Sequence, residues 1–262
     1  MGEAPRPVAL LTGGATRIAQ AVALALAEDG FDIAITFRTS KDAAAATVTQ
    51  LQARGVQAVA LPLEQRSVQS ISALFAAFDS HFRRLDLLLN SASLFYSTPL
   101  LEVTEAQYDE LLEANLKGPF FMAQGAAARM LRNDPPGGLI LNLGDVKAER
   151  VGPRFAPYLL SKAGLHALTK LLAVELAPSV RVNTLALGPI LLPEHYGAAL
   201  RERAIDTTLL KRVGDVSDVV GAVRFLWTGG GFITGASLPI DGGRLAGSHH
   251  YPPGAPPEGS GP

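Results

Sequence analysis

The chain contains no cysteine, three methionines, one tryptophan and no surplus of either charge. Without cysteine there is no disulfide framework and no thiolate metal site, a composition that fits a reducing compartment. The 23 Lys and Arg are matched by 24 Asp and Glu, a formal net charge of −1. The chain therefore lacks the basic excess that nucleic-acid or anionic-membrane binding requires. No uninterrupted apolar run approaches the roughly 20 residues of a membrane-spanning helix. The opening segment MGEAPRPVALLTGG carries an apolar run too short for a signal h-region. A soluble, cytoplasmic protein is the expectation. Internal repeats are also absent, and His81, His166 and His195 have no partners at metal-ligand spacing, so no metal is expected.

What is present is enough apolar material for one large core: 48 % of 262 residues are hydrophobic. Short apolar runs alternate with longer helical patterns. Residues 8–12, 32–37, 56–61, 85–90, 139–143 and 180–185 read as strands buried on both faces. Helical periodicity fills 17–29, 41–54, 67–83, 105–132 and 157–176, and a helix near 216–228 leads to a last strand near 237–240. This alternation predicts an α/β fold of one domain over residues 1–246: a doubly wound, Rossmann-type parallel sheet between two helical layers. Ligands of such sheets bind at the carboxyl ends of the strands. Residues 188–214 form a long connection, with a short helical pattern near 197–204, that reads as a substrate lid. From Gly247 to Pro262 the chain turns Gly/Pro/Ser-rich and reads as a flexible tail.

Three residues carry the chemistry. Tyr158 and Lys162 stand four apart at the start of an apolar helix, hence on one face, and Asp145 lies 13 residues before Tyr158, just past a strand. An ammonium beside a phenol favours the phenolate, so Lys162 is expected to lower the Tyr158 pKa and make the phenol a usable proton donor. Such an acid would protonate a group that has just received a hydride. A carboxyl is a poor partner for the developing alkoxide of a ketone and a natural one for a ring nitrogen.

The other end of the site is read from two turns. Thr12-Gly13-Gly14-Ala15-Thr16-Arg17-Ile18-Ala19 joins the first strand to a helix, a place where backbone N–H groups can meet a pyrophosphate. After the second strand, Phe37-Arg38-Thr39-Ser40-Lys41 has no carboxylate before Asp42. An acidic residue there would bind a ribose 2′-hydroxyl; Arg38, Thr39 and Ser40 instead suit a 2′-phosphate, so NADPH is preferred over NADH.

With Asn90-Ser91-Ala92-Ser93 after the fourth strand, Asn115 in the long helix, and Ile233-Thr234-Gly235…Asp241-Gly242-Gly243 near the end, the chain resembles short-chain dehydrogenases/reductases over residues 8–245. Its departures from that pattern resemble the pteridine reductase branch and bacterial dihydromonapterin reductase: Arg17 in the glycine turn, Ser93, Phe95 two positions later, Asp145 in place of the common serine, and the run Ile190-Leu191-Leu192-Pro193-Glu194-His195. Other positions depart even from that branch. Ala19 replaces a glycine, Ser91 a common asparagine, Glu64 sits where an aspartate usually holds the adenine amino group, and Gly188-Pro189 reverses the usual order.

The resemblance implies a catalytic set of Asp145, Tyr158, Lys162 and Asn115. It implies a cofactor site drawn from Gly13, Arg17, Ile18, Arg38, Thr39, Ser40, Glu64, Asn90, Ser91, Ala92, Ser93, Tyr158, Lys162, Gly188 and Ile190. Lys162 would bind the nicotinamide ribose, and Asn115 would hold a water linking Lys162 to solvent. Phe95 would stack on a pterin or folate ring whose polar edge meets Arg17 and Ser93, beside Asp145 and Tyr158. Reduction of a pterin C=N bond is the implied activity, with a homotetramer built through the helix pairs near 105–132 and 157–176. A 3-oxoacyl or steroid-type carbonyl reductase and a non-catalytic NADP-binding sensor are the alternatives. Asp145 also has a plain reading as a turn cap, and Phe95 as ordinary core.

Overall fold

Strands buried on both faces need apolar side chains at every position rather than at alternate ones. Runs of this kind form β1 (Val8–Leu11), β2 (Asp32–Phe37), β4 (Leu87–Asn90), β5 (Gly138–Asp145) and β6 (Val180–Leu187), with β3 (Ala58–Pro62) and β7 (Ser237–Ile240) at the edges. In the computed structural model, which describes residues 5–192 and 197–247, the seven strands make one sheet in the order β3-β2-β1-β4-β5-β6-β7. Every neighbouring pair is parallel.

The period-2 alternation of side chains divides each strand between two cores. Ala9 and Leu11, Leu87 and Leu89, and Leu139 and Leu141 face one cluster, completed by Val22, Leu26, Val223 and Leu226. Val8 and Leu10, Leu88, and Ile140 face the other, with Leu74, Phe78, Met122 and Met130. The first layer holds α1 (Arg17–Glu28), α2 (Lys41–Gln52) and α8 (Val216–Thr228); the second holds α3 (Val68–His81), α5 (Gly118–Met130) and α6 (Ala156–Leu176). α1 shows why these helices dock: Ala19, Val22, Ala23 and Leu26 form one buried stripe at helical spacing. Each leucine taken fully out of water contributes roughly 1.5–3 kcal/mol. The doubly wound α/β architecture is the one the alternation predicts.

Three boundaries differ in ways that bear on function. β5 runs two residues beyond Leu143, because Gly144 and Asp145 pair with Ala186 and Leu187 of β6. Asp145 is thus the last residue of a strand, not a loop residue. β3 starts at Ala58, not Val56. The long helix read over 105–132 is α4 (Glu105–Leu112) and α5 joined by a π-helical turn, Glu113–Lys117, that contains Asn115. The short helix in the connection is α7 (Ala198–Asp206). Pro193, Glu194 and His195, and the tail beyond Gly247, lie outside the described residues.

Candidate active site

The strand order reverses direction between β1 and β4, and the loops leaving those two strands are sewn together. Thr12 Oγ1 accepts the backbone N–H groups of Ser91 and Ala92 at 2.9 and 3.0 Å. Asn90 donates from Nδ2 to Asn142 Oδ1 at 2.9 Å. Gly13 has φ +67°, and a Cβ there would meet Ala92 at 3.3 Å, so the turn needs glycine twice over, for backbone freedom and for close approach. Its N–H donates to Thr36 Oγ1 at 3.1 Å. Arg17, the first residue of α1 and followed by Ile18, adopts φ +58°, a left-handed conformation costly for any side chain. Its guanidinium donates to Leu191 O at 3.1 Å and so ties the glycine turn to the start of the 188–214 connection.

A cavity of about 250 Å³ opens beside this turn, lined by Gly13, Thr36, Arg38, Glu64, Ala92 and Ser93 among others. Arg38 and Thr39 follow β2, and Ser40 stands at the N-cap of α2. The Arg38 side chain is half exposed and 3.8 Å from Glu64. Glu64 is already engaged: Arg66 bonds it at 3.0 Å and holds its carboxyl below the usual range, and Arg66 also reaches Glu110 at 2.9 Å. A glycine turn, an accessible forked cation and two hydroxyls fit a dinucleotide bearing a 2′-phosphate. At the end of β6, Gly188 donates to Ile240 O at 2.9 Å and lies so close to Asp241 that a Cβ would come within 2.6 Å of its Cα, while Ile190 is buried.

β5 and the first turns of α6 bring together the reactive groups. The Tyr158 hydroxyl donates to Asp145 Oδ2 at 2.7 Å, and the other carboxylate oxygen accepts the Lys147 N–H at 2.8 Å. Asp145 is therefore both a cap, for the short 3-10 turn Val146–Ala148, and the partner of the phenol. Lys162 is buried and donates to Leu143 O at 2.9 Å, with its ammonium 5.9 Å from the Tyr158 ring centre. The expectation that Lys162 lowers the Tyr158 pKa is not met. Burial pushes the phenol well above its ordinary range, and the charge and hydrogen bond of Asp145 push it the same way. Lys162 is itself lowered to about 8, by burial.

Asn115 stands where the π-helical turn interrupts the α4–α5 helix, a feature that recurs at functional sites. Its Oδ1 accepts from Leu94 N at 2.8 Å and Ser93 Oγ at 3.0 Å; its Nδ2 donates to Leu94 O at 2.9 Å and Ser161 Oγ at 3.2 Å. One buried amide thus fixes the Ser93–Leu94 segment against α6. The next residue, Phe95, is 45 % exposed, which excludes the ordinary-core reading. Its ring stacks on Phe155 (centroids 5.0 Å apart, planes 6° from parallel) and meets the edge of Tyr158 at 4.8 Å.

No motif in the sequence assigns Thr12, Thr36, Lys147 or Phe155 a role here. Thr12 and Thr36 act by hydrogen-bonding loops, and Thr12 was visible as the residue before the glycine pair. Phe155 and Lys147 have no sequence signal; only the fold sets them against Phe95.

A parallel sheet of this order, with a tyrosine–lysine pair on α6 and a glycine turn after β1, defines a dinucleotide-type oxidoreductase scaffold. The family model described as enoyl-(acyl carrier protein) reductase matches residues 13–244. The 3-oxoacyl-[acyl-carrier-protein] reductase FabG of Staphylococcus aureus is 33 % identical over 239 residues, 90 % of this chain and 96 % of that protein. A Serratia marcescens short-chain dehydrogenase/reductase mutant superimposes with TM-score 0.84 at 32 % identity, covering 91 % of this chain and 97 % of that one. FolM alternative dihydrofolate reductase 1 from Brucella canis, solved with NADP, gives TM-score 0.84 at 29 % identity, covering 92 % and 95 %. The chain belongs to the short-chain dehydrogenase/reductase superfamily.

Proposed function

We propose that the protein is an NADPH-dependent reductase of the pterin C=N bond, converting dihydropterin to tetrahydropterin, with dihydrofolate and oxidised pterin as further candidate substrates. The observation that carries this reading is the 2.7 Å bond from Tyr158 to Asp145. A ketone reductase needs its phenol free to donate to the carbonyl oxygen. Here the phenol already donates to a carboxylate, which would also repel an alkoxide.

NADPH, when held in this site, would supply a hydride. The chain's own residues manage the proton that must follow to the ring nitrogen. A phenol whose pKa is pushed up gives a proton reluctantly if tyrosinate is left beside carboxylate. Asp145 and Tyr158 therefore work as one relay: the carboxylate orients the phenol, and a proton from solvent, passed along the Tyr158–Asp145 hydrogen bond, replaces the one the phenol gives up. Phe95 offers the ring a flat face, and Ser93 and Arg17 bind its polar edge. Lys162, buried and aimed at Leu143 O, holds the nicotinamide ribose, and Asn115 is a positioning residue for the Ser93–Phe95 segment. Arg38, Thr39 and Ser40 take the 2′-phosphate, with Arg38 leaving Glu64 for it. The 188–214 connection closes over the substrate from the Arg17–Leu191 tie. Phe120, Leu160, Leu171 and Val174 leave apolar surface on α5 and α6, the faces through which a homotetramer would assemble.

The second reading, a 3-oxoacyl reductase, is favoured by the identity with FabG across nine-tenths of the chain. NADPH oxidation measured against dihydrobiopterin, dihydromonapterin, dihydrofolate and a 3-oxoacyl thioester separates the two. No turnover of any pterin across a pH series sinks the first.

A further inference from the structure

The rim of the Asp145 site carries more positive charge than the proton relay needs. Lys147 follows Asp145 by two residues, its backbone N–H held by Asp145 Oδ1. That bond fixes the short 3-10 turn and sends the side chain over the aromatic pair: its ammonium is 5.4 Å from the Phe95 ring centre and 5.0 Å from that of Phe155. Among the described residues it forms no ion pair. It is partly buried, and the loss of water lowers its pKa while Asp145 opposes the change. Arg244, just after the Asp241-Gly242-Gly243 turn, is also partly buried and lies in the fields of Asp145 and Asp241. Arg150 adds a third cation, donating to Arg244 O at 2.8 Å. The neighbouring carboxylates are otherwise engaged. Asp241 accepts from Gly243 and Leu245, and Glu149 lies 3.6 Å from His166.

Cations stripped of part of their water and left without a partner are costly unless an anion arrives. Cation–π contact with two phenyl rings recovers some of that cost but leaves the ammonium without an anionic hydrogen-bond acceptor. We propose that Lys147, backed by Arg244, is an anion subsite beside the Phe95–Phe155 pair, so that the preferred substrate is a flat ring whose side chain carries a carboxylate, not a neutral polyol. This rests on the pterin reading above and narrows it to the acidic, folate-like members of the class. The relay residues act on the ring; Lys147 selects what hangs from it.

Two pterins that differ only at the ring substituent test it. Binding of pterin-6-carboxylate and of 6-hydroxymethylpterin to the NADP-loaded protein is followed by quenching of pterin fluorescence. A charge-assisted hydrogen bond is worth about 1.5–3 kcal/mol, so wild type should favour the carboxylate by about tenfold or more. Lys147→Gln should abolish that preference while leaving the hydroxymethyl compound's affinity unchanged, and Lys147→Arg should retain it. Equal affinities in wild type overturn the subsite while the pterin reading stands. So does a Lys147→Gln protein, shown folded by its thermal transition, that weakens both ligands alike. Failure of the protein to bind either compound, with no oxidation of NADPH by any dihydropterin, overturns both.

Discussion

Tyr158 points its hydroxyl at Asp145 Oδ2, 2.7 Å away, while Lys162 turns its ammonium to Leu143 O at 2.9 Å. The phenol is coupled to a negative partner and the lysine to a neutral one. This reverses the electrostatics expected of a tyrosine–lysine pair read alone, and it gives the site a proton donor that stays neutral far into alkaline pH.

Removing the carboxylate should therefore release the phenol. Burial is the largest cause of the raised Tyr158 pKa, and Asp145 supplies the other two, its charge and its hydrogen bond. In Asp145→Asn the phenol should ionise at lower pH than in wild type. Tyrosinate absorbance titrated against a Tyr158→Phe reference reads that one group, and an unchanged titration would show that Asp145 has no hold on it.

Lys162 predicts a pH dependence of stability. Its pKa is about 8 in the folded protein against an ordinary 10.5. Between those values the unfolded chain keeps the proton and the folded chain does not, so this group makes stability rise with pH through that window. At about 1.36 kcal/mol per pH unit the gain approaches roughly 3 kcal/mol. Denaturant unfolding of wild type and Lys162→Met at pH 7.5 and 10 should show the difference between the two proteins shifting toward wild type as pH rises.

Arg17 holds φ +58° at the start of α1, a conformation that costs an L-residue about 1–2 kcal/mol and glycine almost nothing. Arg17→Gly removes the bond to Leu191 O, which is exposed and contributes little to stability. The variant should melt no lower than wild type while binding NADPH and pterin more weakly. A lower melting temperature would mean that the arginine's contacts outweigh its backbone strain.

Much of this was legible because the fold writes itself as uniform apolar runs. β2 and β7 coincide with their expected spans, and α1 and α2 lie within two residues of theirs, since Ala19–Leu26 and the unbroken run Ile33–Ile35 admit one reading each. The glycine turn and the Tyr158–Lys162 pair are readable from type and spacing, whereas Asn115 is marked only by the family resemblance. What escaped depends on long-range partners. The stack of Phe155 on Phe95 joins segments 60 residues apart that meet through the Thr98–Phe155 bridge. The Tyr158 shift comes first from burial in the assembled fold, and Asp145 adds to it because β5 extends to Asp145 through its pairing with β6; no local pattern marks how deeply a side chain is buried or where a strand stops. The π-helical turn at Glu113–Lys117 leaves no trace in periodicity over so short a span.

The basic loop after β2 makes a prediction about cofactor choice. Arg38 is half exposed and only loosely associated with Glu64, at 3.8 Å. Arg38→Ala should raise the KM for NADPH about tenfold or more, the worth of a charge-assisted phosphate contact, and leave that for NADH nearly unchanged. Equal effects on both cofactors, measured by initial rates, would place the 2′-phosphate elsewhere.

The proposed choice of a ring nitrogen over a ketone oxygen as the acceptor rests on Asp145. Its most direct test is the ratio of kcat/KM for dihydrobiopterin to that for a 3-oxoacyl thioester, in wild type and in Asp145→Ser. Wild type should favour the pterin, and the serine variant should lose about 100-fold or more on it, the usual scale of a lost acid–base group, while gaining on the thioester. A wild type that reduces the thioester and no pterin, or a serine variant with an unchanged ratio, would contradict it.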